Sequence, residues 1–302
     1  MICNLCPRFC SAERTELYGS GFCGMGTDAV IARAAPHMWE EPCISGTRGS
    51  GTIFFSGCSL GCVFCQNEPI SRHNLGKAMN ASELARLMQR VEELGVHNIN
   101  LVTPSHFTPV IAEALSIRKI GIPVVWNSSG YELPETLSML DGLVDIFLPD
   151  FKYSDPATGE CMANAPDYFE RATAAISAMC RMSGPPRYNE NGMMLSGTIV
   201  RHLVLPLRIR ETMQILDAVK QLFPAGTPIS LMRQYTPMVH TDIPGLERRL
   251  TDREYERACS YMMQLEIPGY IQDKKSALKS YTPQFLDKES IRLFEEEDSD
   301  ET

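Results

Sequence analysis

Gly57-Cys58-Ser59-Leu60-Gly61-Cys62-Val63-Phe64-Cys65-Gln66-Asn67 follows directly on the apolar run Gly51-Thr52-Ile53-Phe54-Phe55-Ser56. The run predicts a short buried strand, which puts three thiols on the loop at its C-terminal end. Three thiolates within eight residues can hold three corners of a cubic four-iron cluster and leave the fourth iron open. A closed structural zinc site takes four ligands, usually in paired C-x-x-C steps. The spacing here fits Cys58, Cys62 and Cys65 as cluster ligands.

Downstream, strands and helices alternate. Residues 81–94 place Leu84, Leu87, Met88, Val91 and Leu94 at helical spacing, with Ser82 as a fair N-cap and Gly95 as a stop. Strands are predicted at 97–103, 122–126, 144–148, 198–205 and 228–234, and helices at 107–119, 134–140, 166–182, 209–223 and 252–265. Six such units mean parallel strands with right-handed crossovers, too few for a closed eightfold barrel. The expected fold is α/β, a partial (β/α)6 barrel over residues 51–285. An irregular, cysteine-rich extension over 1–50 precedes it, and an acidic tail over 286–302, expected to be disordered, follows. Chemistry in such barrels gathers at the C-terminal strand ends.

Of the 11 cysteines, eight lie in the first 65 residues. Cys3, Cys6, Cys10 and Cys23 make four ligands suited to zinc or to an additional iron–sulfur centre, either of which would help fold a segment with little core of its own. The net charge is −9, and six of those charges sit in the last eight residues. No basic groove favours nucleic acid, and no apolar stretch approaches the ~20 residues that cross a bilayer. A cytoplasmic location is expected, with cysteines serving as ligands rather than disulfides.

The three-cysteine motif after the first strand of a six-unit barrel resembles the radical S-adenosylmethionine (radical SAM) superfamily, over roughly residues 51–265. Phe64 before the last cysteine, and Gln66-Asn67 after it, look most like the glycyl-radical-enzyme activases of the pyruvate formate-lyase activating type. The resemblance implies a [4Fe-4S] cluster, reductive cleavage of S-adenosylmethionine to a 5′-deoxyadenosyl radical, and hydrogen abstraction from a protein or peptide, a glycine of a glycyl-radical enzyme being one candidate. A flavodoxin or ferredoxin would supply the electron. The alternatives are a radical SAM enzyme acting on a small molecule and a non-catalytic iron–sulfur protein.

The resemblance also assigns residues. Asp150 and Lys152 match the activase Asp-Leu-Lys motif near the cleavage site, as catalytic and cofactor-binding groups. Phe64, Asn127, Ser128, Arg201 and His202 are the other expected cofactor contacts. The family's Gly-Gly-Glu stretch is missing. Thr103-Pro104-Ser105-His106 stands there, so Thr103 and Ser105 are expected to offer oxygens and His106 a nitrogen. Many activases carry a ferredoxin-like insert after the motif, and the short stretch between Cys65 and the helix at 81 has no room for one.

Overall fold

The structure is a computed structural model and describes residues 2–272 and 285–295. In chain order the elements are β1 (Ile2–Cys3), β2 (Ala12–Glu13), β3 (Ala29–His37), α1 (Pro42–Ser45), β4 (Ser50–Phe55), α2 (Glu68–His73), β5 (Lys77–Met79) and α3 (Ala81–Glu93). Next come β6 (Ile99–Val102), α4 (Thr108–Ile117), β7 (Val124–Ser128), α5 (Pro134–Leu137), β8 (Ile146–Pro149), α6 (Pro156–Ala163), α7 (Tyr168–Ser183) and β9 (Arg187–Tyr188). Last are β10 (Met194–Thr198), β11 (Val200–Leu203), α8 (Ile209–Leu222), β12 (Ile229–Met232), α9 (Asp252–Gln264), β13 (Gly269–Ile271) and α10 (Lys288–Glu295).

Strands β4, β6, β7, β8 and β10 pair in parallel, and β11, β12 and β13 form a second parallel set. The two sets join where Asp150 bridges Arg201 and the Phe151 N–H donates to the Arg201 carbonyl at 2.7 Å. Thus β10 and β11 are one barrel strand interrupted at Ile199. The result is the expected α/β partial barrel, open between its first and last strands among the described residues.

Strand parity sorts the side chains. Ile53, Phe55, Ile99, Leu101, Val124, Trp126 and Phe147 point outward into a core shared with α3 and α4. Val200, Ile229 and Leu231 point outward against α8 and α9. The alternate positions face the barrel interior. There, Val125, Ile146 and Leu148 pack on Cys43 and Ile44, so the segment around α1 closes one end of the barrel. The Asn98 amide fixes that plug by donating to the Ile44 carbonyl at 2.8 Å.

Three boundaries differ from expectation. Within the segment 1–50, expected to be irregular, Ala29–His37 is an integral strand, antiparallel to both β4 and β5. Its sequence, Ala-Val-Ile-Ala-Arg-Ala-Ala-Pro-His, carries four alanines and a proline where strands favour β-branched and aromatic residues, so it gives little strand signal. The N-cap of α3 is Asn80 rather than Ser82. The Asn80 side chain accepts from the Glu83 N–H, and the Glu83 carboxylate accepts from the Asn80 N–H. The segment expected to be a disordered tail contains α10, whose Leu293 and Phe294 are buried against β3 and α3. Ser290 bonds the Ala34 backbone, and Arg33 pairs with Asp287 at 3.3 Å. Residues 296–302 lie outside the described residues.

Candidate active site

The loop that leaves β4 carries the three cysteines at the mouth of the barrel. Ser56 ends the strand, and its carbonyl accepts from the His106 ring at 2.7 Å. Gly57 then turns with φ +78°, and a Cβ there would lie 2.5 Å from Met25 Cγ and 3.0 Å from the Cys23 carbonyl. The Leu60 and Gly61 amides donate to Cys58 Sγ at 3.3 and 3.4 Å. The Tyr153 hydroxyl donates to Cys62 Sγ at 3.2 Å.

Burial pushes the Cys62 thiol up to about 12, with Lys152 pulling it down and Cys58 and Cys65 pushing it further up. Burial and the charge of Cys58 raise Cys65 likewise. The three sulfurs therefore share one electrostatic neighbourhood. Thiols held this firmly give up their protons when a metal replaces them. No three His, Cys, Asp or Glu side chains among the described residues converge on a point that could hold a single ion. A triad of thiols, with amide donors on Cys58, a phenol donor on Cys62 and a lysine beside it, suits three corners of an iron–sulfur cluster.

Beneath the triad runs a chain of buried charges. Lys152 Nζ meets Asp150 Oδ2 at 2.6 Å, and Arg201 meets Asp150 Oδ1 at 3.1 Å. Arg201 also meets Glu40 Oε2 at 3.2 Å and donates to Asn127 Oδ1. Glu40 accepts from Asn100 at 3.2 Å and Asn127 at 3.4 Å. Burial would raise the Asp150 carboxyl, but Lys152 and Arg201 hold it below its ordinary range. Burial would lower Lys152, and the charges of Asp150 and Cys62 keep it above its ordinary value. Burial raises Glu40 and Glu41 despite Arg201.

The structure thus brings Asp150, Lys152, Arg201 and Asn127 together, as the strand ends suggested. Glu40, Tyr153 and Glu132 were missed. Glu40 sits in a segment without a strand signal and enters from the plugged end.

Several expected cofactor contacts are engaged elsewhere. Ser128 has the outward parity of Trp126, not the inward parity of Asn127, so its hydroxyl donates to buried Glu132. Trp126 Nε1 donates to the same carboxylate at 2.8 Å, and Ser105 bonds it too. Neither serine is free to face the barrel. His106 turns back to the Ser56 carbonyl and supports the cysteine loop instead of offering a nitrogen to the mouth. His202 points outward from β11, its ring between the Phe151 carbonyl at 2.7 Å and Thr212 of α8 at 3.0 Å. Its neighbour Arg201 has the inward parity. Phe64 is buried edge-on against Tyr235, ring centroids 6.0 Å apart. Thr103 has φ +62°, a strained conformation for a β-branched residue, at a half-buried strand end.

The two buried histidines give a pH prediction. Burial pushes both His106 and His202 down to about 4, from an ordinary value of 6.5. Their folded values lie below their unfolded ones. As pH falls from about 6.5 to about 4 the unfolded chain takes up protons first, and stability is lost. Each site should cost roughly 3 kcal/mol across that window. His202→Gln should flatten the fall of urea midpoint with pH by about one proton. An unchanged slope would show that His202 protonates freely in the fold.

The cysteine-rich segment 2–28 packs on the same loop. Arg8 Nε donates to the Ser59 carbonyl at 2.7 Å, and Nη2 donates to Leu60 at 3.0 Å and Ala163 at 2.7 Å. Its guanidinium stacks 3.9 Å from the Phe22 ring centroid. Sequence alone gave no signal for this arginine.

A partial parallel barrel with a three-cysteine loop at its first strand end, over an internal Lys–Asp–Arg chain, defines a class of iron–sulfur enzymes. The radical SAM superfamily model matches residues 52–199. An uncharacterized protein of Methanocaldococcus jannaschii is 30% identical over 270 residues, covering 85% of this chain and 72% of that protein. The chain belongs to the radical SAM superfamily, and membership implies a [4Fe-4S] cluster and S-adenosylmethionine. Among solved structures, HydG, a maturase of the [FeFe]-hydrogenase, superposes with a TM-score of 0.52 at 15% identity, over 80% of this chain and 56% of its own. Methylornithine synthase (PylB) superposes with a TM-score of 0.46 at 14% identity, over 73% of this chain and 63% of its own. The chain spans less than two thirds of either solved structure. No helix among the described residues is long and apolar enough to cross a membrane.

Proposed function

We propose that this enzyme abstracts a hydrogen atom from a polypeptide, in the manner of the glycyl-radical-enzyme activases, with a glycine of a partner enzyme as the residue attacked. When bound at Cys58, Cys62 and Cys65, a four-iron cluster with S-adenosylmethionine supplies one-electron cleavage to a 5′-deoxyadenosyl radical. The chain supplies the rest. Lys152 and Arg201 offer two cations to a carboxylate, and Asp150 holds both in place. Tyr153 and the Leu60 and Gly61 amides place donors on the sulfurs. The plug around α1 keeps water and substrate from the closed end, so substrate enters past the cysteine loop.

The observation that carries the polypeptide reading is the rim of that entrance. Phe22 lies against Gly61 of the loop and Phe9 stands over Arg171, yet they are 47% and 50% exposed. Exposed aromatic surface beside a reaction mouth suits a macromolecular substrate. The activase reading further rests on the Asp150-Phe-Lys152 and Cys65-Gln66-Asn67 residues. A flavodoxin or ferredoxin is the reductant this reading requires.

Deuterium transfer tests the substrate class. The reconstituted enzyme, reduced and given S-adenosylmethionine, is incubated with glycine-deuterated cell protein or with the deuterated small-molecule fraction. Label should enter 5′-deoxyadenosine from the protein fraction alone. Label arriving from the small-molecule fraction instead would establish the small-substrate alternative.

A further inference from the structure

We propose that Cys3, Cys6, Cys10 and Cys23 hold a second four-iron cluster, and that Arg8 couples its loading to the loop that carries Cys58, Cys62 and Cys65. This goes beyond hydrogen abstraction and does not depend on which substrate is attacked.

The geometry gathers the four sulfurs from two turns. Cys3 pairs with Ala12 across β1 and β2, and the Phe9 N–H donates to the Cys6 carbonyl at 3.1 Å, folding the first turn. The second closes where the Gly24 N–H donates to the Gly21 carbonyl at 3.0 Å. The turns are pressed together: a Cβ at Gly21 would lie 2.8 Å from Cys10 Sγ and 3.0 Å from Ala12 Cβ. Cys6 lies within the field of Cys3, Cys10 and Cys23, and Cys23 within that of Cys3 and Cys10. Arg14 Nη1 approaches Cys3 Sγ at 3.7 Å, a cation beside the set of four thiols.

Four thiolates suit zinc and iron–sulfur clusters alike. Zinc needs every sulfur at about 2.3 Å from one point. Among the described residues no three His, Cys, Asp or Glu side chains are placed to hold a single ion, whereas a four-iron cube takes each thiolate at a different iron.

The coupling is direct. Arg8 lies between Cys6 and Cys10, and its guanidinium is held by the carbonyls of Ser59 and Leu60, which lie between Cys58 and Cys62, and by Ala163 and Asn164. The Cys23 carbonyl packs against Gly57, where a Cβ would lie 3.0 Å from it. A metal that fixes the first turn fixes Arg8, and Arg8 fixes the backbone of the second loop. Arg8 is a positioning residue.

The test loads the Cys58→Ala/Cys62→Ala/Cys65→Ala variant anaerobically with ferrous iron and sulfide. It should retain about four irons per chain with a four-iron Mössbauer spectrum, and Cys6→Ser/Cys23→Ser added to it should remove them. If that variant does not fold, the wild-type protein should carry about eight irons. An iron-free triple variant, about one zinc per chain, or a wild-type protein saturating at about four irons overturns the second cluster. For the coupling, Arg8→Gln should keep the iron count, shift the EPR signal of the cluster on the Cys58–Cys65 loop, and speed its loss to chelator about 10- to 100-fold. An unchanged signal and loss rate would overturn the coupling.

Discussion

Arg201→Met should lower folding stability by about 3–5 kcal/mol, the cost of leaving buried charge uncompensated. Arg201 is the only cation that touches both Asp150 and Glu40 among the described ion pairs, and both partners are nearly enclosed, with side chains 15% and 12% exposed. Without it Asp150 retains Lys152, while Glu40 keeps only the Asn100 and Asn127 amides. Burial already raises Glu40 toward its neutral form. Adding Glu40→Gln should therefore return part of the loss. Equilibrium urea unfolding of the four proteins in the double-mutant cycle reads the coupling directly. A loss under about 1 kcal/mol would mean that the carboxylates simply take up protons and that the network contributes little.

Lys152→Met should cut the rate of S-adenosylmethionine cleavage by about 10²- to 10³-fold, the usual effect of removing one preorganised charge from a closed site. Lys152 bonds Asp150 at 2.6 Å and its charge lowers the Cys62 thiol, so it acts on both the carboxylate and a cluster ligand. Asp150 still has Arg201, and the fold should lose far less than with Arg201→Met. The signature is a large kinetic effect with a small shift in urea midpoint. Equal loss of rate and stability would make Lys152 a structural residue.

The alternation of short apolar runs with amphipathic helices made the barrel legible, because parallel strands buried on both faces read as continuous apolar runs. The cysteine loop was legible because its spacing is local. Asp150, Lys152, Arg201 and Asn127 were legible as polar residues at strand ends. What stayed hidden depends on parity and distance in the fold. Ser128 and His202 sit one residue from inward-facing partners, and one residue is enough to turn a side chain to the other face. Glu40 and Arg8 arrive from the first 50 residues, where no periodicity announces them, and meet partners 161 and 51 positions away. The strand β3 is rich in alanine and broken by Arg33 and Pro36, a composition poor in the β-branched and aromatic residues that mark strands.

The most direct test is formation of 5′-deoxyadenosine by the protein reconstituted anaerobically with iron and sulfide, then given S-adenosylmethionine and dithionite, with Cys62→Ala as the control. The wild-type chain should form 5′-deoxyadenosine and Cys62→Ala should form none. A wild-type protein with its four-iron cluster loaded that binds S-adenosylmethionine yet forms no 5′-deoxyadenosine, with or without glycine-containing protein, would contradict this expectation.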